Sequence, residues 1–356
     1  MTLFNKEKRS AFEAKEIAQW IAFGPVIFQT ARILRNSGIL REIDKAGEAG
    51  LTLEEITEIV KLPEYGVRVL LESGLGTGLV LLNEKRFTLG KTGFFILHDE
   101  LTRVNMDFVQ DVNYRGLFHL EESIQTGKPA GLKELGNWNT VYEGLSQLPP
   151  QIQKSWFNFD HYFSDDAFPK ALPLVYTEGV KKLLDIGGNT GKFAMASAKY
   201  KADISVTIMD LPGQLNMAKK NVEAAGLQNR INFVEANILD ETVIPPSGFD
   251  VIWMSQFLDC FSEAQIESIL RRCAKALPEN GMVIIMEPFW DKQRFEIAAF
   301  CLQQTSPYFT AVANGTSQMY GYETFIKCIH NAGFEIVEET HKVGISQSLL
   351  KCRVKK

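Results

Sequence analysis

The chain has no C-x-x-C pair and no cluster of histidines. Its five cysteines, Cys260, Cys273, Cys301, Cys328 and Cys352, are odd in number and widely spaced over 356 residues. That usage excludes a zinc finger and a disulfide framework; it fits a reducing compartment, so a cytoplasmic protein is expected. His98, His119, His330 and His341 form no cluster with acidic or cysteine residues of the kind that ligates a metal, and no metal is assigned. No uninterrupted apolar run reaches the length of a membrane span, and the charged start MTLFNKEKRSAFEAKEIAQW lacks the apolar core of a signal peptide. A basic excess is missing too: 38 Lys and Arg face 43 Asp and Glu, a formal charge of -5. Nucleic acid and anionic membranes both require a cationic face, so neither is expected as a partner.

What is present is an ordinary globular composition, 45% hydrophobic, at a length that suggests two domains. TARILRNSGILREIDKA carries apolar residues at helical spacing. TLEEITEIV opens like a capping box, and YGVRVLLESGL follows Pro63. GLVLLNEKRFTLG then reads as two short strands around Asn83 and Glu84. Three helices and a ribbon make a winged-helix shape over residues 1–105. The helix that would enter a DNA groove offers only Arg68 against Glu64 and Glu72, so packing against a second subunit is its better use. Residues 106–176 read as linker helices, punctuated by Gly127, Pro129, Gly131 and Pro149-Pro150.

From Val180 the pattern changes to alternating strands and helices, which predicts an α/β fold in 177–356. Its mostly parallel, doubly wound sheet has its site beyond the strands' carboxyl ends, and an antiparallel pair closes it. The first strand runs into LLDIGGNTG. A dinucleotide loop would be G-x-G-x-x-G; here Asn189 takes the second glycine position, and the loop is Asp185-x-Gly187-Gly188-x-x-Gly191. Such a loop lets a ligand approach the backbone and adds a carboxylate, which suits a cation rather than a phosphate. The second strand ends in IMDLP, placing Asp210 where a carboxylate accepts from ribose hydroxyls. S-adenosylmethionine (SAM) meets these requirements. The plainer alternative makes Asp185 a polar strand end and Asp210 a helix cap.

These residues resemble those of the small-molecule O-methyltransferases that carry an N-terminal winged-helix dimerisation domain, a group including plant phenolic and animal hydroxyindole enzymes. The resemblance spans nearly the whole chain. LLDIGGNTG resembles the first SAM motif, IMDLP the second-strand acid, RINFVEANIL the third strand and KALPENGMVIIMEP the strand after the long helix; HLEESIQTGKP and NAGF are similar to further family patterns. It implies a Rossmann-like, seven-stranded class I methyltransferase domain, SAM as methyl donor with S-adenosylhomocysteine (SAH) as product, a homodimer formed through the N-terminal domain, and no metal. Carried onto this sequence, the cofactor residues are Asp185, Gly187, Gly188, Gly191, Asp210, Leu211, Asn237, Ile238 and Ser255. Asn237 stands where the family has an acid, and Ser255 where it has a lysine.

The family's base is a histidine, and the matching segment here is FLDCF, with Asp259 in its place and Glu287 at the family's downstream glutamate. The family's second glutamate falls near Met319. Three readings stay open. Asp259 is the base, made basic by burial against Phe257, Phe261 and Glu287. His161, at a pocket position the family fills with methionine, takes over. Or the base is dispensable and the reaction differs. Phe157, His161, Phe289, Phe300, Met319 and Met254 are the candidate pocket wall. The expected function is methyl transfer from SAM to a hydroxyl of a small aromatic or polyketide-like molecule. Its rivals are N- or C-methylation, non-methyl SAM chemistry, a ligand-sensing winged-helix regulator and a silent dimer partner.

Overall fold

The computed structural model describes residues 3–356, which divide into two compact units, Phe4–Asp107 and Phe108–Lys356. The first contains α1 (Ala11–Ala22), α2 (Gly24–Asn36), α3 (Ile39–Ala46), α4 (Leu53–Val60), α5 (Glu64–Gly76), the ribbon β1 (Val80–Asn83) and β2 (Arg86–Leu89), then α6 (Lys91–His98) and α7 (Glu100–Phe108). Thr52 caps α4 through Glu55 in the expected reciprocal box. The stretch read as one helix from Thr30 to Ala46 is two: Gly38, at φ 86°, turns the chain between α2 and α3. A left-handed residue cannot continue a right-handed helix, and the break lets Leu34, Ile39, Leu40 and Ile43 bury completely. Each such side chain contributes about 1.5–3 kcal/mol. Arg68 is paired with Glu64 along α5, which spends the one cation of that helix on its own surface. No single helix among the described residues is long and apolar enough to cross a membrane; α1 and α2 pass that test only as a pair bent by 71°.

The second unit contains α8 (Leu120–Thr126), the one-turn α9 (Val141–Gly144), the long α10 (Pro150–Val175), β3 (Lys182–Ile186), α11 (Lys192–Tyr200), β4 (Ser205–Asp210), α12 (Pro212–Ala224), β5 (Ile231–Glu235), β6 (Val251–Ser255), α13 (Glu263–Ala276), β7 (Met282–Pro288), α14 (Glu296–Tyr308), α15 (Tyr322–Asn331), β8 (Phe334–Val343) and β9 (Gln347–Val354). The helices read as a separate linker therefore belong to the same unit as the sheet. Strand order is β5-β4-β3-β6-β7-β9-β8, parallel except for β9, which runs antiparallel between β7 and β8. Separate apolar clusters cover the two faces, one around Ile252, Ile285 and Phe325, the other around Leu183, Ile208 and Trp253. That double burial is why the parallel strands read as continuous apolar runs.

Chain order reverses between β3 and β6, so their carboxyl ends diverge and leave a crevice. Asp210 and Ser255 end β4 and β6 at its rim, and Asp185 stands one residue before the end of β3.

Candidate active site

The loop after β3 is shaped by close approach. Gly187 has φ 74°, and a Cβ there would run into the ring of Phe257; a Cβ on Gly188 would lie 2.8 Å from Asp185 Oδ2. Asn189, itself left-handed at φ 49°, donates its backbone N–H to Asp210 Oδ2 at 2.8 Å. Leu211 N–H donates to the other carboxylate oxygen at 2.7 Å, so Asp210 is fixed by two backbone donors and keeps lone pairs for a ligand. Burial pushes Asp210 up to about 6 despite those donors. Asp185 is pushed to about 8, first by burial and then by the charge of Asp210, and its Oδ2 is buried without a hydrogen-bond partner. Two desolvated carboxylates in one loop favour a ligand that brings positive charge or hydroxyl donors.

A cavity of about 1150 Å³, open solvent at its mouth included, runs from this loop to the substrate side. Helix α10 forms one wall through Trp156, Asp160, Ser164 and Phe168, which share a face at four-residue spacing, with His161 beside them. Asp160 Oδ2 accepts from Asn189 Nδ2 at 3.3 Å; burial raises its carboxyl to about 7, and the charge of Asp259 adds to the rise. His161 stacks on Phe157, with ring centroids 5.5 Å apart, and its Nε2 lies 3.2 Å from Thr190 Oγ1. Burial, helped by Lys192, lowers it to about 4, so the imidazole is neutral at neutral pH.

The opposite wall is the turn after β6. Gln256 sits at φ 47° and Asp259 is buried in the 3-10 turn Leu258–Cys260. Burial pushes Asp259 up to about 7, partly offset by the Cys260 thiol, 3.4 Å from its Oδ1. Glu287, at the end of β7, accepts the N–H groups of Phe257 and Leu258 through Oε1, at 2.9 and 2.8 Å. Burial and the charge of Asp259 hold its carboxyl well above the usual range.

A Dimerisation2-like domain matches residues 15–87, and an O-methyltransferase domain matches residues 166–335. The chain belongs to the SAM-dependent O-methyltransferase family. An L-tyrosine C(3)-methyltransferase of Streptomyces lavendulae is 24% identical over 319 residues, 88% of this chain and 85% of that one. A 3-hydroxy-5-methyl-1-naphthoate 3-O-methyltransferase of Streptomyces sahachiroi is 32% identical over 116 residues, 33% of each chain. The apo structure of the SAM-dependent methyltransferase SibL matches with TM-score 0.70 and 25% identity, covering 95% of this chain and 98% of that one. The enzyme is a methyltransferase and its cofactor is SAM. The site fits that group: Gly187 and Gly188 leave a cradle a Cβ would fill, and Asp185 presents an unpaired buried oxygen.

Of the residues picked out from the sequence, Asp185, Gly187, Gly188, Asp210, Leu211, Asn237, Ile238, Ser255 and His161 line the cavity. Gly191 does not; at φ 81° it starts α11 and lets that helix approach Ile208. Asn237 does so with its side-chain oxygen turned back to the N–H of Leu239, at 3.0 Å. Five pocket choices lie outside the lining, Met254 among them, fully buried in the core. Phe289 is fully buried against Tyr322 and Phe325, because its strand turns it into the core. Met319 is buried in the cluster of Phe309 and Val312, Phe300 is 48% exposed on α14, and Phe157 faces His161 from outside the wall. Asp259 and Glu287 also lie outside the lining. Asp160, Trp156, Thr190 and Cys260 were missed, although the four-residue repeat Trp156, Asp160, Ser164, Phe168 was there to be read.

Proposed function

We propose that this methyltransferase moves the methyl group of SAM onto a hydroxyl of a small aromatic or polyketide-like acceptor, without a metal, as a cytoplasmic homodimer joined through the N-terminal domain. The observation that carries the reading is one cavity joining the Asp185–Asp210 loop to a wall of Trp156, Asp160 and His161, an aromatic and acid–base surface beside the cofactor end. SAM supplies an electrophilic methyl group when bound. Asp210 would accept from ribose hydroxyls, and the Gly187–Gly188 backbone would hold the amino acid end. The chain's remaining task is to orient the acceptor and take its proton. Relatives acting on naphthoates support an aromatic acceptor, and the dimerisation domain supports the homodimer.

A second reading is methylation at a ring carbon beside the hydroxyl. It is favoured by the end-to-end similarity to a tyrosine C(3)-methyltransferase and by Asp259 standing where the family has histidine. A phenolate is nucleophilic at both atoms, and alignment chooses between them. The test is incubation with SAM and a panel containing 3-hydroxy-5-methyl-1-naphthoate, 2,7-dihydroxy-5-methyl-1-naphthoate and L-tyrosine, read by SAH release and by NMR of the product. A methoxy signal supports the first reading, a ring-methyl signal the second, and no SAH above background contradicts both.

A further inference from the structure

Three carboxylates gather at the substrate end: the half-buried Asp160 on α10, and the buried Asp259 in the turn after β6 and Glu287 on β7. Only Asp160 lines the cavity. Glu287 Oε1 is committed to two backbone N–H groups, and Asp259 Oδ1 to the Cys260 thiol. Asp160 accepts one long amide contact from Asn189, 3.3 Å, and keeps most of its lone pairs. Its neighbour His161 already has Nε2 beside Thr190 Oγ1 and its ring against Phe157.

We propose that Asp160 is the base that takes the acceptor's hydroxyl proton, and that Asp259 is a positioning residue whose charge, behind it, sets its basicity. This rests on the methyl-transfer reading of the same cavity. The step balances without another reagent. The acceptor O–H bond breaks, its proton goes to the Asp160 carboxylate, and the freed electron pair forms the bond to the methyl carbon. The methyl–sulfur bond of SAM breaks with its pair retained on sulfur, giving SAH, and Asp160 returns its proton to water as product leaves.

The groups facing Asp160 come from four elements. Asp259 and, on its own helix, Asp165 raise it; Lys192 on α11 lowers it, but that ammonium is bonded to Asp165 at 2.6 Å. His161 lies 3.9 Å away and is neutral, and Tyr308 on α14 is a phenol held protonated mainly by burial, with Asp160 and Asp259 adding to the effect. Burial first and Asp259 second bring Asp160 to about 7, which suits a general base at neutral pH. Neutralising Asp259 must therefore lower Asp160 and move the rising limb of the rate profile to lower pH.

The test compares Asp160→Asn, Asp160→Glu and Asp259→Asn, using whichever acceptor of the panel the wild type methylates. Asp160→Asn should cut kcat by about 100-fold or more, the usual weight of a general base, and abolish the limb near neutrality while SAM affinity by calorimetry stays within about threefold. Asp160→Glu should restore part of kcat together with the limb. Asp259→Asn should keep most of kcat and shift the limb to lower pH. Independently of turnover, infrared titration of the cofactor-free protein should show several carboxyls near neutrality, one of which vanishes in Asp160→Asn and moves down in Asp259→Asn, where the signal of Asp259 itself is also lost. Full activity in Asp160→Asn with an active wild type overturns Asp160 alone, as does loss of the limb in Asp259→Asn only. A wild type inactive on the whole panel overturns the methyl-transfer reading and Asp160 with it.

Discussion

Glu287, at the position of the family's downstream glutamate and by that resemblance a catalytic candidate, has surroundings that give it a different task. Its side chain is 1% exposed, outside the cavity lining, and one oxygen accepts both N–H groups that start the turn carrying Asp259 and Cys260. Glu287→Ala removes that shared acceptor and leaves two donors in a dry site. At about 1–3 kcal/mol for each stranded group, the loss is about 2–6 kcal/mol, before any cavity cost. Glu287→Gln is the informative contrast. Burial and the charge of Asp259 raise the carboxyl above its usual range and so disfavour its charged form, and an amide oxygen accepts the same two bonds. Denaturant unfolding should therefore show Glu287→Gln within about 1 kcal/mol of wild type and Glu287→Ala well below it, since a preserved acceptor avoids the stranding penalty. An alanine variant as stable as wild type, or a glutamine variant as weak as alanine, would refute the capping role.

Gly187→Ala forces a left-handed alanine, costing about 1–2 kcal/mol, and drives a Cβ into Phe257. SAM affinity measured by calorimetry should fall about tenfold or more, and unchanged affinity would contradict the cradle. Asp210→Ala should weaken SAM and SAH alike by about 1–3 kcal/mol, since both carry the ribose; an effect on one alone would contradict that contact. For the cofactor-free protein, Asp160, Asp185 and Asp259 stand at about 7, 8 and 7 against an ordinary 3.8, so the native state binds more protons than the unfolded chain up to about pH 8. His161, lowered from 6.5 to about 4, acts oppositely but only below pH 6.5. Thermal stability should therefore fall from pH 6.5 to 8, and a rise across that window would contradict the burial of these acids.

The order of strands and helices was legible because the central parallel strands are buried on both faces and bounded by glycine or charge, as in KKLLDIGG. The break at Gly38 was not, since apolar spacing continues across it and only the positive φ reveals the turn. The glycine loop could be read because its parts are adjacent in sequence and its backbone conformation is imposed by residue type. The substrate wall could not, because it depends on the rotation of α10. Phe157 lies one residue and about 100° from Trp156 on that helix, and packing against the sheet decides that Trp156, Asp160 and His161 face the cavity while Phe157 does not. Phe289 illustrates the same limit, an aromatic at a strand end whose direction is set by alternation and neighbours rather than by its type.

The central claim is that the loop from Asp185 to Asp210 holds SAM. Calorimetric titration of the purified protein with SAM and, separately, with SAH tests it most directly. The account predicts that both bind at a single site per chain with affinities near micromolar, about 8 kcal/mol of binding free energy. Failure of both to bind would contradict it.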